Sequence, residues 1–147
     1  MPVTDDLVDA FRAYLSGDMD RWDERLAALA PATSRAYFAY LSALFAAAVR
    51  RRFPGEATWA QAVRFVADLR ARDERWADRL DPDAVERMIL MVFDDDVKTG
   101  DIPRVQTLGI RLVVLAAIIR EEALSGPELD VFLTRGRTLG DEILGDA

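Results

Sequence analysis

Histidine, cysteine and asparagine are absent from this chain of 147 residues, and Lys98 is its only lysine. Without histidine there is no imidazole to act as a general base near neutral pH. Without cysteine there is no thiolate nucleophile, no disulfide and none of the common zinc ligand sets. A Ser-His-Asp triad is excluded outright. Asp, Glu, Tyr, Ser, Thr, Lys98 and Arg remain, so carboxylate-based catalysis stays open while most other enzymatic routes close. The lack of cysteine also agrees with a reducing compartment.

Long hydrophobic runs are missing as well. The longest strictly apolar stretch, Leu112 to Ile119, is bounded by Arg111 and Arg120 and falls far short of the ~20 residues that span a bilayer. The opening MPVTDDLVDAF has neither the positive flank nor the apolar run of a signal peptide. The expectation is a cytoplasmic protein with no membrane partner. Positive charge is scarce too: the net charge is -7, and no basic run exceeds Arg50-Arg51-Arg52. Counterion release would therefore favour nucleic acid little, and neither DNA nor RNA is an expected partner. The near-complete preference for Arg over Lys, with abundant Ala, suits a GC-rich bacterial genome.

What is present is apolar mass with helical spacing. Hydrophobic residues make up 51% of the chain, with three Trp and seven Phe, enough for one folded domain over residues 1–147. Apolar residues recur at three- and four-residue intervals and nowhere alternate as in strands, so the expected class is all-α with six to seven helices. Thr4 can cap a first helix carrying Leu7, Ala10, Phe11, Tyr14 and Leu15, which Gly17 ends or kinks. Met19, Trp22, Leu26 and Leu29 mark a second helix, closed by Pro31. A third begins at Thr33 or Ser34 and runs to Pro54-Gly55. Thr58 opens a long helix expected to continue through Trp76 to Leu80. Asp81-Pro82 starts another, expected to reach about Val97. Residues 104–124 form the next, expected to be central, with Leu112, Leu115, Ala116 and Ile119 inside. Ser125 to Glu128 has the S-x-x-E pattern of a capping box for the last helix.

Pro31, Pro82 and Pro127 lie between helices, and Pro54 and Pro103 between the resulting pairs. The spacing predicts three helical hairpins, about 4–53, 56–98 and 103–145, as an orthogonal bundle or a short α-solenoid-like stack. Two segments resemble one another: FRAYLSGDMDRWDERL (11–26) and FVADLRARDERWADRL (65–80) share seven of sixteen residues. On a helical wheel Phe11, Leu15, Trp22 and Leu26 fall in one arc, as do Phe65, Leu69, Trp76 and Leu80, so packing accounts for four identities. Trp22 and Trp76 are expected to be buried at equivalent positions. Duplication and convergence both account for the likeness. Arg21 and Arg25, like Arg75 and Arg79, flank the stripe and are the candidate partner-binding residues.

Three charge clusters complete the search for chemistry. Glu121-Glu122 reads as a solvated helix end, because neighbours on a helix point about 100° apart. Arg50-Arg51-Arg52 reads as cations favoured at a helix C-terminus. Asp94-Asp95-Asp96 crowd a helix C-terminus, where the dipole is negative, so they need early termination, an arginine or a cation to offset the cost. Asp94, Asp95, Asp96 and Asp101 are thus the candidate metal ligands. As an EF-hand loop beginning at Asp95, however, the segment has Val97 and Gln106 where carboxylate or amide ligands belong. No cofactor is expected.

These readings converge on a non-catalytic helical protein-interaction module of a bacterial cytoplasm, of the adaptor or immunity/neutralising type, whose partner is another protein. Gly109 within an apolar helix is compatible with a homodimer. The alternative is a helical binder of a small apolar ligand, or a carboxylate-based enzyme, built around a cavity of several hundred Å³.

Overall fold

The computed structural model of the chain describes residues 2–73 and 78–145. Among the described residues there are seven α-helices, a single 3-10 turn and no strand: α1 (Asp5–Leu15), α2 (Met19–Ala28), the turn Pro31–Thr33, α3 (Ser34–Arg52), α4 (Trp59–Arg72), α5 (Pro82–Met91), α6 (Arg104–Glu121) and α7 (Gly126–Gly145).

Local signals set most helix starts. The Thr4 hydroxyl accepts from the Leu7 N–H at 3.3 Å. Thr58 and Gln61 cap each other reciprocally, with Gln61 N–H donating to Thr58 Oγ1 at 3.2 Å and Thr58 N–H to Gln61 Oε1 at 2.9 Å. Asp81 accepts from the Asp83 N–H, with Pro82 as first helical residue. Gly17, at φ +84°, stops α1 and lets the Asp18 N–H reach back to the Ala13 carbonyl at 2.9 Å. This is the left-handed cap that glycine adopts without strain.

The organising element is α3. It buries Tyr40, Leu41, Leu44, Phe45 and Val49 among others, and both α6 and α7 take it as their principal neighbour. Helix α7 comes unusually close because glycine stands at two positions one turn apart. A Cβ at Gly136 would lie 2.4 Å from Leu44 Cδ2, and one at Gly140 would lie 3.4 Å from Tyr40 Cα. The fully buried Tyr40 donates its hydroxyl to the Leu133 carbonyl at 3.1 Å, so its polar tip is satisfied inside the core. Two contacts fasten the N-terminus to α7: Val3 N–H to Asp141 Oδ1 at 2.7 Å, and Arg137 to Asp5 at 2.7 Å.

Helices α3 and α6 run parallel. Arg104, at the start of α6, lies 4.3 Å from the centre of the Phe38 ring, while at the far ends Arg51 pairs with Glu122 and Arg52 with Glu121. A ring cluster of Phe11, Trp22, Tyr37 and Tyr40 joins α1 and α2 to α3, each of the other rings lying 5.2–5.5 Å from that of Phe11. Trp22 is buried, as the stripe predicts. Helices α4 and α5 pack on each other. Phe65 meets Phe53 edge-on at 5.7 Å beneath the Arg52 guanidinium, which ties this pair to the end of α3.

Several expectations are corrected. The helix opening at Thr58 ends at Arg72, with Asp73 extended; Trp76 lies outside the described residues. The helix opening at Pro82 ends at Met91 instead of about Val97, because the three acids that follow would repel one another at its negative end. Helix α6 is not the centre. Leu115 and Ile119 are buried, but Leu112 and Ala116 are partly exposed, and Ile110, Val113, Val114 and Ile118 are buried instead. While α1 with α2 and α4 with α5 pack as sequential pairs, α6 and α7 are joined through α3.

Candidate functional site

The acidic cluster is divided between a turn and an ion pair. Asp94, Asp95 and Asp96 stand exposed beyond α5, where Asp94 Oδ1 accepts from the Asp96 N–H at 2.9 Å. This side-chain turn follows directly where the chain leaves the helix. Asp101 faces Arg87 through two hydrogen bonds, at 2.7 and 3.2 Å. Arg87 also donates to Asp83 Oδ2 and the Lys98 carbonyl, so one guanidinium ties α5 to the loop after it. Its hydrogen bonding holds the Asp101 carboxyl below the usual carboxylate range. Among the described residues no three carboxylates converge as a metal ion would require.

Of the candidate arginines, Arg21 and Arg25 line an open depression of about 340 Å³ on α2, with Asp18, Asp20 and Glu24 around them. Arg79 is exposed just before α5, and Arg75 lies outside the described residues. Glu121 and Glu122, expected to be a solvated helix end, are ion-paired. At the parallel C-termini of α3 and α6 they meet Arg52 and Arg51. Cations thereby sit where both helix dipoles are negative, offsetting two carboxylates that the dipole of α6 disfavours.

Two features stand out that sequence reasoning missed. The first is the outer face of α4. Its inner face, Ala62, Phe65, Val66 and Leu69, is buried. Trp59 is 52% exposed and Val63, one turn on, is 47% exposed; Ala60, Ala67 and Ala71 are exposed on the same arc. The signal was there in the helical wheel. Apolar residues occupy more than half the circumference of this helix, and packing on one side cannot cover them all.

The second feature is a cleft of about 380 Å³ where the α1–α2 corner, the end of α4 and the middle of α6 approach without closing. Tyr14, Met19, Leu69, Val113, Ala116 and Ala117 give it apolar walls, Gly17 leaves the corner open, and Arg72, Asp73 and Arg120 stand at it. Tyr14 is fixed in place by donating to the Leu112 carbonyl at 2.7 Å, and burial pushes its phenol above the ordinary tyrosine value. Arg120 has no carboxylate partner among the described residues, since Glu121 and Glu122 are taken by Arg52 and Arg51. Among the described residues Arg72 reaches the Asp68 carbonyl, at 3.4 Å, and no carboxylate. Comparisons with protein-family models, with characterised proteins and with solved structures find no match to this chain.

Proposed function

We propose that this chain is a non-catalytic helical protein-interaction module, an adaptor or neutralising protein, whose recognition surface is the outer face of α4. The observation that carries the reading is the half-exposed pair Trp59 and Val63 on one helical face. Single exposed apolar residues are ordinary on any surface, but a tryptophan with a valine one turn away and alanines between and beyond them forms a contiguous strip. Tryptophan also anchors interfaces more often than other residues, because it buries a large rigid area at little entropic cost. The helix is held ready for this use: a reciprocal cap fixes its first turn and its inner face is locked onto α5. Arg64 and Asp68, exposed one turn apart beside the strip, give it a polar edge of both signs.

Recovery of tagged parent, Trp59→Ala and Val63→Lys chains from the native cell, with mass spectrometry of what accompanies them, tests the reading. Both side chains face solvent, so the variants should melt within a degree or two of the parent. Loss of one specific companion from both variants is expected. An interface anchor is worth about 2 kcal/mol or more, roughly thirtyfold in affinity. A companion retained equally by all three chains would move the interface elsewhere, and sedimentation of the parent distinguishes a second copy from a different protein.

A further inference from the structure

We propose that the cleft between α1, α2, α4 and α6 is a binding site for a small amphiphilic carboxylate, with the apolar body between Met19, Leu69, Val113 and Ala116 and the carboxylate on Arg120 and Arg72. The apolar half of the argument is the composition of the walls, supplied by all four helices, and the state of Met19. Its side chain is 48% exposed although it lines a concave surface. An apolar ligand seated there would remove that surface from water along with the faces of Ala116 and Ala117. The cleft exists because Gly17 turns the chain and contributes no side chain to fill the corner.

The polar half is the state of the two guanidinium groups. In a chain of net charge -7, arginines find carboxylates easily, as Arg12, Arg51, Arg52, Arg87 and Arg137 do. Among the described residues Arg120 and Arg72 find none, although both stand at this cleft. Asp73 also lines it and opposes an anion. The fork of a guanidinium fits a single carboxylate geometrically. An acid already at the cleft disfavours a more highly charged phosphate ester. The volume, about 380 Å³, lies near the lower end of the range for small-molecule sites, roughly 300 to 1,000 Å³, which points to a short chain or a single ring.

The probes are octanoate, octan-1-ol and octyltrimethylammonium, each titrated below its micelle concentration into the full chain while backbone amide shifts are followed by NMR. Octanoate should bind saturably and move the amides of Met19, Leu69, Ala116 and Arg120. The alcohol should bind about tenfold more weakly, the loss for a charge-assisted contact, and the cation should not bind. Arg120→Gln, a change at an exposed side chain, should weaken octanoate about tenfold and leave the alcohol unchanged. Ala116→Phe should block both, and Trp59→Ala should alter neither, which separates this site from the α4 face. The proposal is overturned if octanoate causes no saturable shifts, if the shifts lie away from the cleft, if acid and alcohol bind equally, or if Arg120→Gln leaves octanoate affinity intact.

Discussion

Replacing Gly136 with alanine should destabilise the protein, although the same change at Gly109 should stabilise it. Both glycines lie inside helices, where alanine is favoured by roughly 1 kcal/mol. At Gly109 a Cβ would meet nothing within 4 Å, so that full preference should appear. At Gly136 the new carbon would stand 2.4 Å from Leu44 Cδ2 and 3.2 Å from Leu44 Cγ, about 1 Å inside the ~3.5 Å at which carbon atoms rest. Leu44 is fully buried on α3, so displacing its side chain disturbs the packing around it. Overpacking of this kind costs about 1 to 3 kcal/mol, so the net loss after the helical gain is up to about 2 kcal/mol. The helical gain is common to both, so the two alanine variants should differ by the overpacking cost, about 1 to 3 kcal/mol in urea unfolding, or several degrees in melting temperature at roughly 2–4 °C per kcal/mol. Leu44→Ala in the Gly136→Ala background should cost less than in the parent, with a coupling of at least about 0.5 kcal/mol. If Gly136→Ala raised stability as Gly109→Ala does, the close seating of α7 on α3 would be wrong, and with it the central position of α3.

Ala123 holds a left-handed backbone, φ +53°, where the chain caps α6 and the Leu124 N–H reaches the Ile119 carbonyl at 3.1 Å. Ala123→Gly should therefore raise stability by about 0.5 to 1 kcal/mol, read from the urea midpoint. Tyr14, Tyr37 and Tyr40 all have phenols raised by burial. Each folded-state value lies above the unfolded one, so their contribution is complete below about pH 10 and is lost as the pH climbs beyond it. Tyrosinate absorbance should then appear together with loss of helical circular dichroism; tyrosinate forming in a still folded chain would contradict the burial. Replacing Asp95 and Asp96 with Asn should leave the melting temperature unchanged or slightly higher, because like charges near the negative end of α5 are relieved. A fall of several degrees, or a rise in the parent on adding calcium, would show that these acids hold something.

Helix starts were legible because they depend on neighbours in sequence. Thr4, Thr58 and Asp81-Pro82 cap as their types dictate, and the repeated apolar spacing makes the chain all-helical. The choice of central helix was not legible. Helices α3 and α6 are both apolar around most of their circumference, so neither pattern states which neighbour it takes. That choice lies in Gly136 and Gly140, whose spacing of four opens a groove along α7 for Leu44 and Tyr40. Gly109, although it lies within an apolar helix, faces open space. The resemblance between 11–26 and 65–80 proves partly architectural. Phe11 and Leu15 lie on α1 while Trp22 and Leu26 lie on α2, with Gly17 between them as expected; Phe65 and Leu69 lie on α4, which ends at Arg72, and Trp76 is outside the described residues.

The cleft shows why a site can escape a sequence that displays all of its residues. Arg120 is followed directly by Glu121 and Glu122, and a local reading gives it acidic company and no reason to seek more. The parallel packing of α3 and α6 carries Arg51 and Arg52 to those same carboxylates, at 2.5 and 3.1 Å. These long-range pairs lie between two helix C-termini, where cations are favoured by both dipoles, whereas adjacent residues on one helix diverge by about 100° and cannot meet as well. Among the described residues Arg120 is thereby left without a carboxylate partner beside Tyr14 and Ala116. Breaking the latch should therefore alter the cleft without touching it. In an Arg51→Gln/Arg52→Gln chain Glu121 and Glu122 lose their neutralising partners and add negative charge near Arg120, so octanoate should bind more weakly while octan-1-ol binds as before. Equal loss of both ligands would mean that the change had disturbed the walls and not the charge.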